Sequence, residues 1–242
     1  MRDRVVALVG RLGGEVRLDE QATGRPIVEI RLRTTRVADD QLGDLRGLSS
    51  LRTLDLTQTR ISDAGLARLR GHEGLRSLLV HDTRVTDRGL EHIATMSGLE
   101  KLLVGSCDVS GPGLSHLASL KHLKALSLVE LDLTDSGLAA LANLSRLEEL
   151  DLVGLKITDA GLAHVRGLSR LRRLALDGNE ITDAGLAHLV GLTDLGELSL
   201  KRTRVTDAGL GALKSLPHLR RLTHDDTKIT AAGLDRLRHL DR

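Results

Sequence analysis

The chain has 242 residues, 35 Lys+Arg against 33 Asp+Glu and a net charge of +2, a balance that gives no electrostatic reason to expect a nucleic-acid or membrane partner. It contains no Phe, Tyr or Trp. That absence rules out base stacking on aromatic rings, weakens any sugar-binding reading, and removes two of the three residue types that dominate interface hot spots. The single cysteine, Cys107, allows no intramolecular disulfide, and no segment approaches the roughly 20 apolar residues that span a bilayer. A soluble protein of a reducing, cytoplasmic compartment is expected, although a mature chain already relieved of an export signal would read the same.

The first 14 residues, MRDRVVALVGRLGG, mimic a signal peptide. The apolar run Val5–Val9 is short, however, and no small-residue cleavage site follows. Val5, Val6, Leu8, Val9 and Leu12 suit one face of a short helix ended by Gly13 and Gly14. Two strands, Glu15–Asp19 and Ile27–Arg33, are predicted around the turn Ala22–Pro26.

From Val37 a 24-residue unit repeats, opened by Val37, Ile61, Val85, Val109, Leu133, Ile157, Ile181, Val205 and Ile229. Eight full units fill residues 37–228 and a ninth begins. A period of this size predicts a solenoid in which each unit touches only its neighbours. In the unit 157–180, Thr158 is placed to cap a helix N-terminus and Asp159 to suit the dipole of its first turn. Leu162 and Val165 share one helical face, and Gly167 is placed to end the helix in a left-handed conformation. Leu168-x-x-Leu171-x-x-Leu174-x-Leu176 then closes on a short strand with one buried face. Parallel strands spaced about 4.8 Å apart, stacked beside helices that need about 8–10 Å, bend such an array so that strands line the concave side. Gly65, Gly89, Gly113, Gly137, Gly161, Gly185, Gly209 and Gly233 fall at one position of the unit. A glycine there costs a helix about 1 kcal/mol, so its recurrence points to close approach between neighbouring helices.

The LxxLxL core, followed by Thr, Cys or Asn, resembles the leucine-rich repeat, and the ITDAGL opening is similar to the cysteine-containing, ribonuclease-inhibitor-like type of F-box adaptors and many bacterial repeat proteins. The resemblance covers residues 27–242. It implies an α/β solenoid with a curved parallel sheet inside and short helices outside, used to bind proteins through the concave face. It also implies that the column holding Thr59, Thr83, Cys107 and Asn179 hydrogen-bonds the turns of adjacent units; Leu131 and Leu155 interrupt that column, so their turns must satisfy the backbone differently. Residues 1–36 read as an N-terminal cap whose second strand aligns with Leu51–Thr59 and joins the sheet, and 37–242 as the repeats with a terminal capping helix at Ala231–Leu240. No F-box is visible, so a ubiquitin-ligase role is not carried over. His224 stands where the other units place Leu or Val, which predicts a core opening to water at that end.

His92, His116, His164 and His188 share one helical position, but helices about 8–10 Å apart hold two imidazoles too far apart to meet at Zn–N distances near 2.1 Å. No phosphate loop, zinc motif or nucleophile elbow is present, and the recurring Asp is a repeat feature rather than a catalytic pair. No metal, cofactor or enzymatic activity is expected.

Departures from the repeat remain on the concave face. Three outward columns flank the strand leucines: Thr53, Ser77, Lys101, Ala125, Glu149, Arg173, Glu197, Arg221; Asp55, Leu79, Leu103, Ser127, Asp151, Ala175, Ser199, Thr223; and Thr57, His81, Gly105, Val129, Val153, Asp177, Lys201, Asp225. Leu79, Leu103, Ala125, Val129 and Val153 form a diagonal aliphatic patch, bordered by Glu149, Asp151, Arg173, Asp177, Glu197, Lys201 and Arg221. Such a patch rimmed by charge marks a contact site, with Arg173 as the best anchor, although strand propensity alone also favours exposed aliphatics. The expected function is a monomeric, non-enzymatic scaffold binding another protein through Leu79, Leu103, Val129, Asp151, Val153, Arg173, Asp177 and Lys201. The alternative is a structural or self-association module, or a fragment of a larger sensor or secreted protein.

Overall fold

The computed structural model describes residues 1–235 and Leu237. Helix α1 (Arg2–Arg11) buries Val5, Leu8 and Val9, whereas Val6, expected on the same face, is 39% exposed. A hairpin follows: β1 (Glu15–Leu18) runs antiparallel to β2 (Ile27–Arg31). Strands β3 (Thr53–Asp55), β4 (Ser77–Leu79), β5 (Lys101–Leu103), β6 (Ala125–Ser127), β7 (Glu149–Asp151), β8 (Arg173–Ala175), β9 (Glu197–Ser199) and β10 (Arg221–Thr223) then add in chain order, all parallel from β2 onward. The register advances by 24 residues at every step, as in Leu54↔Leu78 and Leu150↔Leu174. The fold class is therefore the expected α/β solenoid, and β2 joins the sheet opposite β3 through Glu29↔Thr53 and Ile30↔Leu54.

Between strands run short helical segments: α2 (Asp63–Arg68), α3 (Asp87–Ile93), α4 (Gly111–Leu114), α5 (Asp159–Leu162), α6 (Asp183–Leu186), α7 (Leu210–Leu213) and α8 (Ala231–Leu234). Residues 39–45, 115–119, 135–143 and 187–189 form 3₁₀ helix. The helix of the unit 157–180 stops at Leu162, and Gly167 is not left-handed. The chain instead continues through right-handed i→i+3 turns, with Val165 N–H donating to Leu162 O at 3.1 Å and Leu168 N–H to Val165 O at 3.0 Å. The left-handed residue lies elsewhere in the unit, just after the strand, at Thr34, Gln58, Asp82, Ser106, Glu130, Gly154, Gly178, Arg202 and Asp226. There each chain turns out of the sheet.

One aliphatic core runs from Val5 to Leu237 along the whole array. At the far end it opens: Leu222, His224 and Ile229 are only partly covered, whereas Leu198, Leu200 and Val205, one unit earlier, are at most 1% exposed. Of the capping helix expected at Ala231–Leu240, the first turn is α8; Arg236, Arg238 and His239 lie outside the described residues.

The repeated Thr caps its helix as expected: Thr158 Oγ1 accepts from Ala160 N–H at 3.3 Å. The repeated Asp has a second task that spacing within one unit does not disclose. Asp135 Oδ1 accepts the Thr158 N–H at 2.8 Å and its Oδ2 accepts the Thr158 hydroxyl at 2.6 Å. Asp159 holds Thr182 and Asp183 holds Thr206 in the same way. This clamp explains the repeated glycine. A Cβ on Gly161 would stand 2.6 Å from Asp135 Oδ1, so the glycine makes room for the preceding unit's carboxylate.

Candidate functional site

Because the strands are parallel and in register, the three outward columns become three rows across the sheet. In the middle row Leu79 lies beside Leu103, then come Ser127, Asp151 and Ala175. A hollow of about 340 Å³ opens on this face and extends from β5 to β10. Leu103, Ala125 and Ala175 line it among Lys101, Glu149, Asp151, Arg173, Glu197 and Arg221. Leu79 instead lines a second, more polar hollow of about 700 Å³ toward the N-terminal end, with Glu29, Arg31, Thr53 and Asp55; Lys101 borders both. Val129, Val153, Asp177 and Lys201 sit outside both linings, on the downstream edge of the sheet where each strand turns away. The eight expected residues thus divide into a hollow (Leu103, Asp151, Arg173), its N-terminal neighbour (Leu79) and an edge. The aliphatic members are half-buried rather than fully exposed, each partly covered on the sheet.

Arg173 is not a free cation. It is exposed and its Nη2 meets Glu149 Oε1 at 2.6 Å. Lys201 Nζ pairs with Asp225 at 2.9 Å, which raises the lysine pKa and lowers that of Asp225. Burial pushes the Asp151 carboxyl above its ordinary range, and the nearby Asp177 adds to this; the Val153 N–H, donated to Asp151 Oδ1 at 3.2 Å, works in the opposite direction. In the N-terminal hollow, Glu29 is nearly buried and held between Arg17 and Arg31, each at 2.7 Å. The hydrogen bond from Arg17 holds its carboxyl below the ordinary range against the opposing effect of burial, with Arg31 adding to the lowering. This triad was missed in the sequence, although the alternation Ile27-Val28-Glu29-Ile30-Arg31 placed Glu29 and Arg31 on one face.

The turn column is satisfied in two ways. Thr59, Thr83 and Thr203 donate to the carbonyl three residues earlier in their own unit rather than to the expected backbone of a neighbour, and the Thr83 hydroxyl also lies 3.5 Å from the Cys107 thiol of the next unit. Cys107 and Asn179 do reach across. The Cys107 thiol donates to Val80 O at 3.2 Å. Asn179 Nδ2 donates to Leu152 O at 2.7 Å and Leu176 O at 2.9 Å, while its Oδ1 accepts the N–H groups of Leu155 and Ile157 at 3.1 and 3.2 Å. The backbone around Leu155 is thus satisfied from the following unit. At Leu131 the chain closes on itself, Leu133 N–H donating to Leu131 O at 3.0 Å.

In the helical histidine column, His116 is exposed, His164 and His188 are half-buried, and His92 is buried with Nδ1 lacking a protein partner. Among the described residues no group of three or more His, Cys, Asp or Glu side chains is placed to hold a metal ion. No histidine lines the strand-face hollow, and Ser127 Oγ lies 3.5 Å from Asp151 Oδ2, at the outer limit of a hydrogen bond. The chemistry offered by the hollow is a small apolar floor, paired charges and backbone held in fixed register.

These features define a leucine-rich-repeat solenoid with a recessed strand face. A leucine-rich-repeat family model matches residues 47–69 and 169–190. Among solved structures the chain is similar to internalin C2 of Listeria monocytogenes, at 26% identity with a TM-score of 0.65, covering 84% of this chain and 82% of that one. It shares its fold with the leucine-rich-repeat ectodomain of the Arabidopsis receptor kinase HAESA, solved in complex with an N-terminally extended IDA peptide hormone ligand, at 18% identity and a TM-score of 0.67, over 93% of this chain and 39% of that one. No curated protein matches the sequence. Among the described residues no helix is long and apolar enough to cross a membrane.

Proposed function

We propose that this protein is a non-enzymatic scaffold that receives a partner protein on its strand face, centred on β5–β8. The observation carrying this reading is the hollow itself, in which Leu103 and Ala125 lie between Lys101, Glu149 and Arg173. An apolar centre with a charged rim is the anatomy of a protein contact. Val129 and Val153 extend the apolar area to the downstream edge, and Asp151, Asp177 and Lys201 supply polar contacts there. Leu79 continues it upstream, and Arg173 anchors the partner by exchanging its internal ion pair with Glu149 for one across the interface.

In this reading the chain acts as a monomer of the cysteine-containing repeat subtype in a reducing compartment. Residues 1–36 cap the N-terminal end. The experiment is capture of partner proteins by the wild-type chain and by the double variant Leu103→Asp, Val153→Asp, with circular dichroism as the folding control. Loss of capture with unchanged secondary structure is expected; unaltered capture overturns the scaffold reading.

A further inference from the structure

The strands β6, β7 and β8 all run in one direction, so the residues leading into them line one edge of the face and the residues leaving them line the other. The two edges carry opposite charge. On the leading edge Lys121, Lys124, Arg146, Arg170, Arg172 and Arg173 are exposed, and the same three units place two carboxylates beside them, Glu148 and Glu149. Those two are engaged by Arg172 and Arg173, and Lys124 is engaged by Glu100. Lys121, Arg146 and Arg170 form no ion pair among the described residues; Arg146 rests against the His122 ring at 3.0 Å.

The trailing edge of the same three units is the reverse. Glu130, Asp132, Asp177 and Glu180 stand there with one cation, Lys156. Glu180 pairs with Arg204. Among the described residues Glu130 accepts the Ser106 hydroxyl at 3.0 Å and forms no ion pair, while Asp177 accepts the Lys201 backbone N–H at 2.9 Å and shares the field of the Lys201 ammonium with Asp225. Ser127, Asp151 and Ala175 of the middle row lie between the two edges. The long axis of the hollow runs across the strands from β5 to β10, five spacings of about 4.8 Å, which matches roughly seven residues of extended chain.

We infer that the strand face takes an extended protein segment laid along this axis, in which acidic side chains reaching the leading edge alternate with basic side chains reaching the trailing edge over β6–β8. An extended chain directs successive side chains to opposite sides, so alternation of sign is the pattern these two edges select. Charge complementarity of this kind fixes orientation and register and excludes segments of a single sign. The inference rests on the scaffold reading and adds the chemistry of the partner.

The test is selection from a phage-displayed library of random twelve-residue peptides on the full chain, keeping only peptides whose binding is lost in Leu103→Asp. Enrichment of peptides with alternating acidic and basic residues is expected. For a selected peptide, Lys121→Glu with Arg170→Glu should weaken binding at least tenfold by fluorescence anisotropy. Replacing the peptide's acidic residues with lysine should restore it. Glu130→Lys with Asp132→Lys should act in the same way on the peptide's basic residues. All four positions are exposed, so folding is retained, with circular dichroism as the control. Selected strand-face peptides that are uncharged, of one sign, or indifferent to these reversals overturn this inference and leave the scaffold reading standing. A selection yielding no peptide sensitive to Leu103→Asp overturns both.

Discussion

The units from Ile157 to Lys228 and those from Val109 to Lys156 share one sheet but not one set of joints. In the later region each unit is fastened outside the sheet at two places, one to the next unit and one within itself. An Asp clamps the Thr of the following unit, and a backbone N–H, such as Glu180 N to Ile157 O at 2.9 Å, ties the last residue of a unit back to its first. In the middle region Gly111 stands where the clamping Asp belongs, so Thr134 receives no carboxylate from the unit before it. Neither Asp132 nor Lys156 makes the corresponding backbone bond among the described residues, and Lys156 takes a left-handed φ of 59° that no other unit shows at that position. Yet the register continues unbroken from β5 through β8. The sheet and the leucine core hold the array together, and the side-chain joints are an addition that a unit can lose.

Five substitutions, one of them a control, break or sharpen that contrast. The largest effect is expected for Asn179→Leu, which strands the carbonyls of Leu152 and Leu176 and the N–H groups of Leu155 and Ile157 in a buried site. A loss of about 4 kcal/mol in denaturant unfolding is expected; a loss under about 1 kcal/mol would mean that the middle turns do not depend on the following unit. Gly161→Ala drives a methyl against the Asp135 carboxylate and should cost about 2 kcal/mol. Its control is Gly211→Ala, where a Cβ meets nothing within 4 Å and a small gain is expected.

Gly111→Asp supplies the missing clamp. A Cβ there comes 3.0 Å from Gly137 Cα, so the units must part by a few tenths of an ångström, and a net gain of about 1 kcal/mol is expected. Destabilisation would show that the middle units are packed too tightly to accept the regular joint.

The smallest effect is that of Asp151→Asn. Burial raises the folded pKa of Asp151 above its unfolded value, so the ionised carboxylate costs stability as pH rises from the unfolded pKa through the folded one. The variant should melt at a higher temperature than wild type at neutral pH, and the gain should vanish in acid below both pKa values. A gain that persists in acid would assign it to something other than charge.

Much of this was legible in the sequence. The 24-residue period fixed which residues face the core, which glycine is pressed and which Thr caps, because each follows from the unit repeating in register. The partner of the repeated Asp was not legible, since its hydrogen bonds lie 23 residues away in the next unit and depend on the stacking distance. Gly167 misled because a glycine permits a left-handed turn without requiring one. The division of the candidate site was hidden for another reason. Leu79 and Leu103 are neighbours in the sheet, but the side chains around them open into different hollows, and that depends on the volumes of residues from several units at once.

The missing Asp clamp between Gly111 and Thr134 also bears on how the chain folds. In a solenoid, stability is a chain of nearest-neighbour couplings, and every clamp joins positions one unit apart. Removing one coupling weakens the link between the array before it and the array after it without lengthening any loop. Amide exchange should therefore protect residues on the two sides to different degrees, so that a single continuous core behaves as two cooperative blocks meeting beneath the strand-face hollow.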